Sequence, residues 1–152
     1  MLFHASIPAD DPEHVAQVIA EPWKGEVLPF PPFPGAFFVC ASDARRSIYP
    51  RGREHVPALD TYGVRENPAP SLYSEVHLAI GTPLSADDVL RIARRECWIA
   101  QRSDRGGLFE VIELWVENRF LLEVLSEPEQ SRCRENLTPG DLRTLFLTQA
   151  LP

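Results

Sequence analysis

Basic residues are scarce in this chain, and so are cysteines. Fifteen Lys and Arg stand against 22 Asp and Glu, a net charge of −7 over 152 residues. Gripping a phosphate backbone or an anionic membrane needs clustered positive charge, so neither a nucleic acid nor a membrane is an expected partner. The three cysteines, Cys40, Cys97 and Cys133, are an odd number without a CxxC spacing. That argues against a disulfide framework and for reduced thiols, hence a cytoplasmic protein. No apolar run is long enough for a membrane span, and no basic stretch precedes an apolar core as in a signal peptide. GxSxG, P-loop and GxGxxG patterns are missing as well, which removes the usual hydrolase elbow and nucleotide cradles. Proline is the exception to this scarcity. Its 15 copies concentrate in "PFPPFPG" and "NPAPS", which read as loops.

What remains is the composition of an ordinary globular domain, 44% hydrophobic and 24% charged. Its length suits one domain with a real core. The chain then says the same thing twice. Leu2 to Ile7 is a short strand, and "DPEHVAQVIAEPW" is a helix with Asp11 at its N-cap and Pro12 at its first position. Val15, Val18 and Ile19 share its buried face, and Pro22 and Gly25 end it. "EVLPF", "AFFVCAS" and "RSIYP" follow as strands. The order recurs with "VHLAIG" as a strand and "SADDVLRIARREC" as a helix, opened by Ser85 and Asp88 as a capping box. "WIAQRS", "FEVIELWVE" and "RFLLEVL" are the last strands, with Glu117-Asn118 as the turn between the final two. The expected fold is α+β, with two βαβββ modules pairing into a cup-shaped mixed sheet around a central cavity. Residues 1–50 form the first module, 51–73 a linker loop, 74–126 the second module, and 127–152 a helical tail. One such module leaves a sheet face uncovered, which is a physical reason for two.

Strand alternation assigns the faces. Phe3, Ala5 and Ile7 pack under the first helix, leaving His4 and Ser6 on the other side; Val76, Leu78 and Ile80 likewise leave His77 and Ala79. In the last strand Phe120, Leu122 and Val124 face the helix, while Leu121, Glu123 and Leu125 face inward.

The double βαβββ pattern, covering about residues 1–125, resembles the vicinal oxygen chelate superfamily. That group includes glyoxalase I, extradiol dioxygenases, fosfomycin-modifying transferases and bleomycin-binding resistance proteins. The resemblance implies metal ligands on the first and last strands of each module, here His4, His77 and Glu123. Ser47 falls near the position of a fourth ligand. Two imidazoles and one carboxylate leave open positions on one face, as in non-haem Fe(II) oxygenases. Fe(II) is therefore the favoured cofactor, with Mn(II) or Zn(II) as alternatives.

Plainer readings stand beside these. A single strand histidine is more often hydrogen-bonded structure than a ligand. Glu123 inside "FLLEVL" is harder to set aside, because a buried carboxylate needs a cation, a metal or water. Glu113 and Tyr49 are candidate catalytic residues on the inward face, Tyr49 as a proton donor or acceptor; a wet sheet edge and core packing are the alternatives. Arg51, Arg53 and Arg65 read as solvated linker charges, Trp98 and Trp115 as packing. Cys40 and Cys97 read as small hydrophobes, and His14 and His55 have no directional argument. Leu142, Leu145 and Phe146 give the tail an apolar face for the sheet or a second subunit. The expected function is a metal-dependent enzyme acting on a small chelating oxygen compound, an oxygenase-like reaction first. A metal-free binding protein of the bleomycin-resistance type, a fosfomycin-type transferase and an isomerase are the alternatives. A homodimer that pairs modules between chains stays open.

Overall fold

The computed structural model describes residues 4–30, 34–41, 47–52, 55–58, 64–71, 73–74 and 76–140. Phe3, Arg53, Leu142, Leu145 and Phe146 lie outside them. The first module runs β1 (His4–Pro8), α1 (Pro12–Trp23), β2 (Glu26–Pro29), β3 (Phe37–Cys40) and β4 (Ser47–Arg51). The expected linker contains a two-stranded antiparallel pair, β5 (His55–Pro57) and β6 (Val64–Glu66), rather than loop alone. The second module runs β7 (Leu78–Gly81), α2 (Ala86–Arg95), β8 (Ala100–Asp104), β9 (Glu110–Val116) and β10 (Phe120–Leu125), followed by α3 (Glu127–Asn136).

Each module is one four-stranded mixed sheet of the same topology, β1-β4-β3-β2 and β7-β10-β9-β8. In both, the first strand pairs parallel with the last. The caps follow the local chemistry. Asp11 accepts the His14 N–H at the start of α1, and Ser85 and Asp88 form a reciprocal capping box at α2. Glu117 and Asn118 both take positive φ, 49° and 58°, the sign pattern of a type I′ turn. Cys97 differs from expectation. It lies beyond α2 with φ 56° and is exposed, because the helix stops at Arg95 and the chain reverses to seat Trp98 in the core.

The two sheets do not join edge to edge into one cup within the chain. The reason is the position of α1. Helix α2 buries one stripe, Val89, Ile92 and Ala93. Helix α1 instead buries Val15, Ala16, Val18, Ile19, Ala20, Pro22 and Trp23. At 3.6 residues per turn these span an arc of about 200°, twice what one sheet can cover. One side of α1 packs on β2, β3 and β4. Val18, Ile19 and Pro22 also line a small apolar cavity together with Val89 and Ile92 of α2 and Leu122 and Val124 of β10. A single apolar cluster accordingly runs through both modules.

Polar contacts hold this arrangement in register. The Trp23 indole donates to Gly81 O at 3.0 Å, and the buried Thr82 hydroxyl donates to Pro22 O at 2.5 Å. The Glu117 carboxylate accepts the backbone N–H groups of Asp10 and Asp11 at the entrance to α1. His14 reaches Glu96 at 2.7 Å, and Arg95 pairs with Glu21 at 2.5 Å. Since the helix-side residues of both sheets belong to this one cluster, the helix-free faces lie outside it. This decides where the candidate residues lie.

Candidate functional site

The helix-free face of the second sheet carries most of the candidates. On β10 and β9 the buried positions Leu122, Val124, Ile112 and Leu114 face the helices, and Leu121, Glu123, Glu113 and Trp115 occupy the opposite side as half-buried residues. The register lines up Ala79, Glu123, Glu113 and Gln101 as one row across all four strands. His77 stands two residues before Ala79, just outside β7, and is exposed. It continues the parity of that face. Helix α3 walls one end of the face, packing Cys133 and Leu137 on Phe109, Val111 and Leu125. The other end carries Ile99 at 59% exposure, and Val76, expected under the helix, is 67% exposed because it lies before β7 begins.

Glu113 and Glu123 are direct cross-strand partners. Like charges so placed repel unless something lies between them. That group is Arg105. Its Nη2 donates to Glu113 Oε1 at 2.9 Å and to Glu123 Oε1, while Nη1 donates to Ser103 Oγ at 2.6 Å. Arg105 comes from the β8–β9 turn, where Gly106 and Gly107 take φ of 68° and 77° and Gly107 N–H caps Asp104. The other oxygen of Glu113 accepts from Gln101 Nε2 at 2.8 Å. The second oxygen of Glu123 has no hydrogen-bond partner among the described residues.

The amide of Gln101 and then the Arg105 guanidinium and Ser103 hold the Glu113 carboxyl below its ordinary value of 4.5, against the opposing effect of burial. The Arg105 guanidinium is correspondingly held above its usual value, burial being outweighed by Glu123 and Glu113. Because Glu113 titrates lower folded than unfolded, its stabilising contribution is complete above pH 4.5 and is lost as pH falls through its folded value. Urea titrations between pH 3 and 6 (about the carboxylate range) are expected to show stability falling on acidification. Glu113→Gln is expected to flatten that slope. An unchanged slope would mean that Glu113 is not held as described.

The first module places its candidates elsewhere. His4 and Ser6 are exposed on the helix-free face of β1, with Ile7 buried under α1. His4 pairs in register with Ser47, and Ser6 with Tyr49. Since Glu123 pairs with the residue two past His77, its counterpart in the repeat is Tyr49, paired with the residue two past His4. Ser47, the residue near the fourth-ligand position by sequence counting, thus lies one same-face step before Tyr49 and pairs with His4 itself. Within one chain no three His, Cys, Asp or Glu side chains converge as a metal site among the described residues. The structure brings Glu113 and Glu123 together, with His77 exposed just before β7, while His4 is exposed on β1 of the other module. Trp98 is core, as expected, and Arg65 is exposed. His14 joins the contact between modules through Glu96. No described helix is long and apolar enough to cross a membrane.

No protein-family model matches the sequence, and no curated protein matches it. Solved structures do match. The fosfomycin resistance protein FosX from Listeria monocytogenes, crystallised with Mn(II) and sulfate, is 12% identical, with a TM-score of 0.56 over 89% of this chain and 96% of that one. A variant of it was crystallised with Mn(II) and 1S,2S-dihydroxypropylphosphonic acid. FosX from Mesorhizobium loti is 11% identical, with a TM-score of 0.54 over 87% and 96%. A protein from the mobile metagenome of V. Pseudocholerae is 11% identical, with a TM-score of 0.53 over 84% and 94%. The chain has the fold of the vicinal oxygen chelate superfamily.

Proposed function

We propose that this chain is a metal-dependent enzyme acting on a small chelating oxygen compound, its site assembled between two copies of the chain. His77 and Glu123 of one copy and His4 of the other would hold the ion. What supports this reading is that Glu123 alternates onto the helix-free side of β10, that exposed His77 precedes the neighbouring β7 at the same parity, and that exposed His4 lies on β1 of the other module. The donor set fits a divalent ion: two imidazoles, and a carboxylate with one oxygen lacking a described partner. The Mn(II) crystallised with the Listeria FosX, and the vicinal diol bound in its variant, support the same chemistry.

A bound divalent ion would act as a Lewis acid on substrate oxygens, or as an oxygen-activating centre if it is Fe(II). The chain's own residues supply the rest. Glu113, fixed by Gln101 and Arg105, orders the carboxylate row, and Trp115 and Leu121 line the adjacent apolar wall. Tyr49, at the position equivalent to Glu123, is the candidate proton donor or acceptor. A second reading has one observation in its favour. Arg105 already neutralises Glu123, so a metal-free pocket that sequesters a ligand is electrostatically tenable.

A panel of catechols, hydroxy acids and diols separates the two. At least one compound is expected to bind only when Mn(II) or Fe(II) is present. With Fe(II), conversion accompanied by oxygen uptake would identify oxygenase chemistry, and conversion without uptake a Lewis-acid reaction. His77→Ala is expected to abolish turnover while leaving the melting temperature within a few degrees (about 0.5 kcal/mol). Equal ligand affinity with and without EDTA, and recovery of the ligand unchanged, would make the protein a binding module.

A further inference from the structure

We infer that Arg105 is a displaceable counter-ion on Glu123: its guanidinium occupies the carboxylate until a divalent cation arrives, and then remains on Glu113 and Ser103. This rests on the reading that Glu123 ligates a metal. Glu113 and Glu123 face each other across β9 and β10, and Arg105 Nη2 alone is shared between them. A guanidinium has five donors in a rigid plane, so losing one partner need not release it. Here two anchors would survive, Glu113 Oε1 at 2.9 Å and Ser103 Oγ at 2.6 Å.

Those anchors are fixed where Glu123 is not. Gln101 holds the far oxygen of Glu113 at 2.8 Å, so that carboxylate is a stationary acceptor. Glu123 is held through Oε1 alone among the described residues, leaving Oε2 as a landing point for an incoming ion. A doubly charged ion at Glu123 then repels the guanidinium beside it, and the repulsion favours transfer onto Glu113. The three side chains are 31%, 17% and 18% exposed, open enough for exchange yet too shielded for the pairing to be negligible. Arg105 is therefore a positioning residue that sets how strongly the site competes for metal.

The test is Mn²⁺ affinity of the full-length chain by equilibrium dialysis, with melting temperature as the control for folding. Arg105→Gln is expected to tighten Mn²⁺ binding about three- to tenfold, the range for a partly shielded charge pair. A purely structural arginine would give weaker binding and a lower melting temperature on removal. Glu113→Gln is expected to loosen binding, because the guanidinium then has Glu123 as its one carboxylate, and this loss should shrink in the Arg105→Gln background. If Arg105→Gln does not fold, Arg105→Lys decides. Its ammonium lacks the planar fork that spans Glu113, Glu123 and Ser103 at once and so holds Glu123 less firmly; Mn²⁺ affinity above wild type supports displacement, and equal or lower affinity overturns it. Unchanged or weaker binding in Arg105→Gln, with Glu123→Gln still abolishing binding, overturns the counter-ion and leaves the metal site standing. Binding in Arg105→Gln but not in wild type supports it. Absence of Mn²⁺ binding in every variant overturns both.

Discussion

Mixing two chains that each bind metal poorly is expected to restore binding. His4→Ala and Glu123→Gln each remove one ligand, and each alone should lose at least about tenfold in affinity, the loss seen even for groups that merely support ligands. If a site combines the first module of one copy with the second module of another, a mixed dimer holds one intact site and one doubly altered site. Random co-refolding makes half the dimers mixed, so about a quarter of wild-type capacity should return at wild-type affinity. The physical basis is that α1 is buried around a wide arc while His4 and Glu123 lie on the helix-free sides of two different sheets. Capacity no greater than that of either variant alone would show that the ligands do not combine across copies.

The second large effect concerns the same helix. Ile19, 2% exposed, stands at the middle of the apolar arc of α1. Removing its side chain leaves a cavity walled by both modules, which cannot collapse without separating them. Ile19→Ala is therefore expected to destabilise by about 4 kcal/mol, near the top of the range for this substitution. Ile92, 9% exposed on the single buried stripe of α2, provides the same chemical change in a shallower setting, and Ile92→Ala should cost about 2 kcal/mol. Urea denaturation with matched slopes measures both. Equal losses would mean that α1 is not a wall common to the two modules.

Much of the architecture was written locally. Asp11, Pro12, Ser85 and Asp88 marked their helix starts because capping depends on neighbouring residues. The alternation in "FLLEVL" set Glu123 apart from Phe120, Leu122 and Val124, and the structure keeps that division. The turn expected at Glu117-Asn118 is there, but Arg119 belongs to the connection as well, so Val116 pairs with Phe120 and Glu113 comes to face Glu123 rather than Leu122. Arg105 was the missed residue. In "SDRGG" it reads as a solvated turn charge, and the signal that pointed to it was indirect: two facing carboxylates that required a cation. Ser47, near the fourth-ligand position by counting along the chain, lies one same-face step before Tyr49, the residue that strand pairing makes the counterpart of Glu123.

The amino-acid sequence by itself determined the two βαβββ units, their caps and which residues share each sheet face, because these depend on contacts within a few positions. It also held a clue to the rest: α1 is apolar around most of its circumference, and α2 is not. Which surfaces cover that circumference was decided by tertiary structure alone. An apolar residue specifies that it will be buried, while the partner that buries it depends on how distant segments fit together. With one core shared by both modules, the candidate ligands are divided between the helix-free sides of two sheets, and Arg105 comes to rest between two carboxylates that the strand register sets face to face.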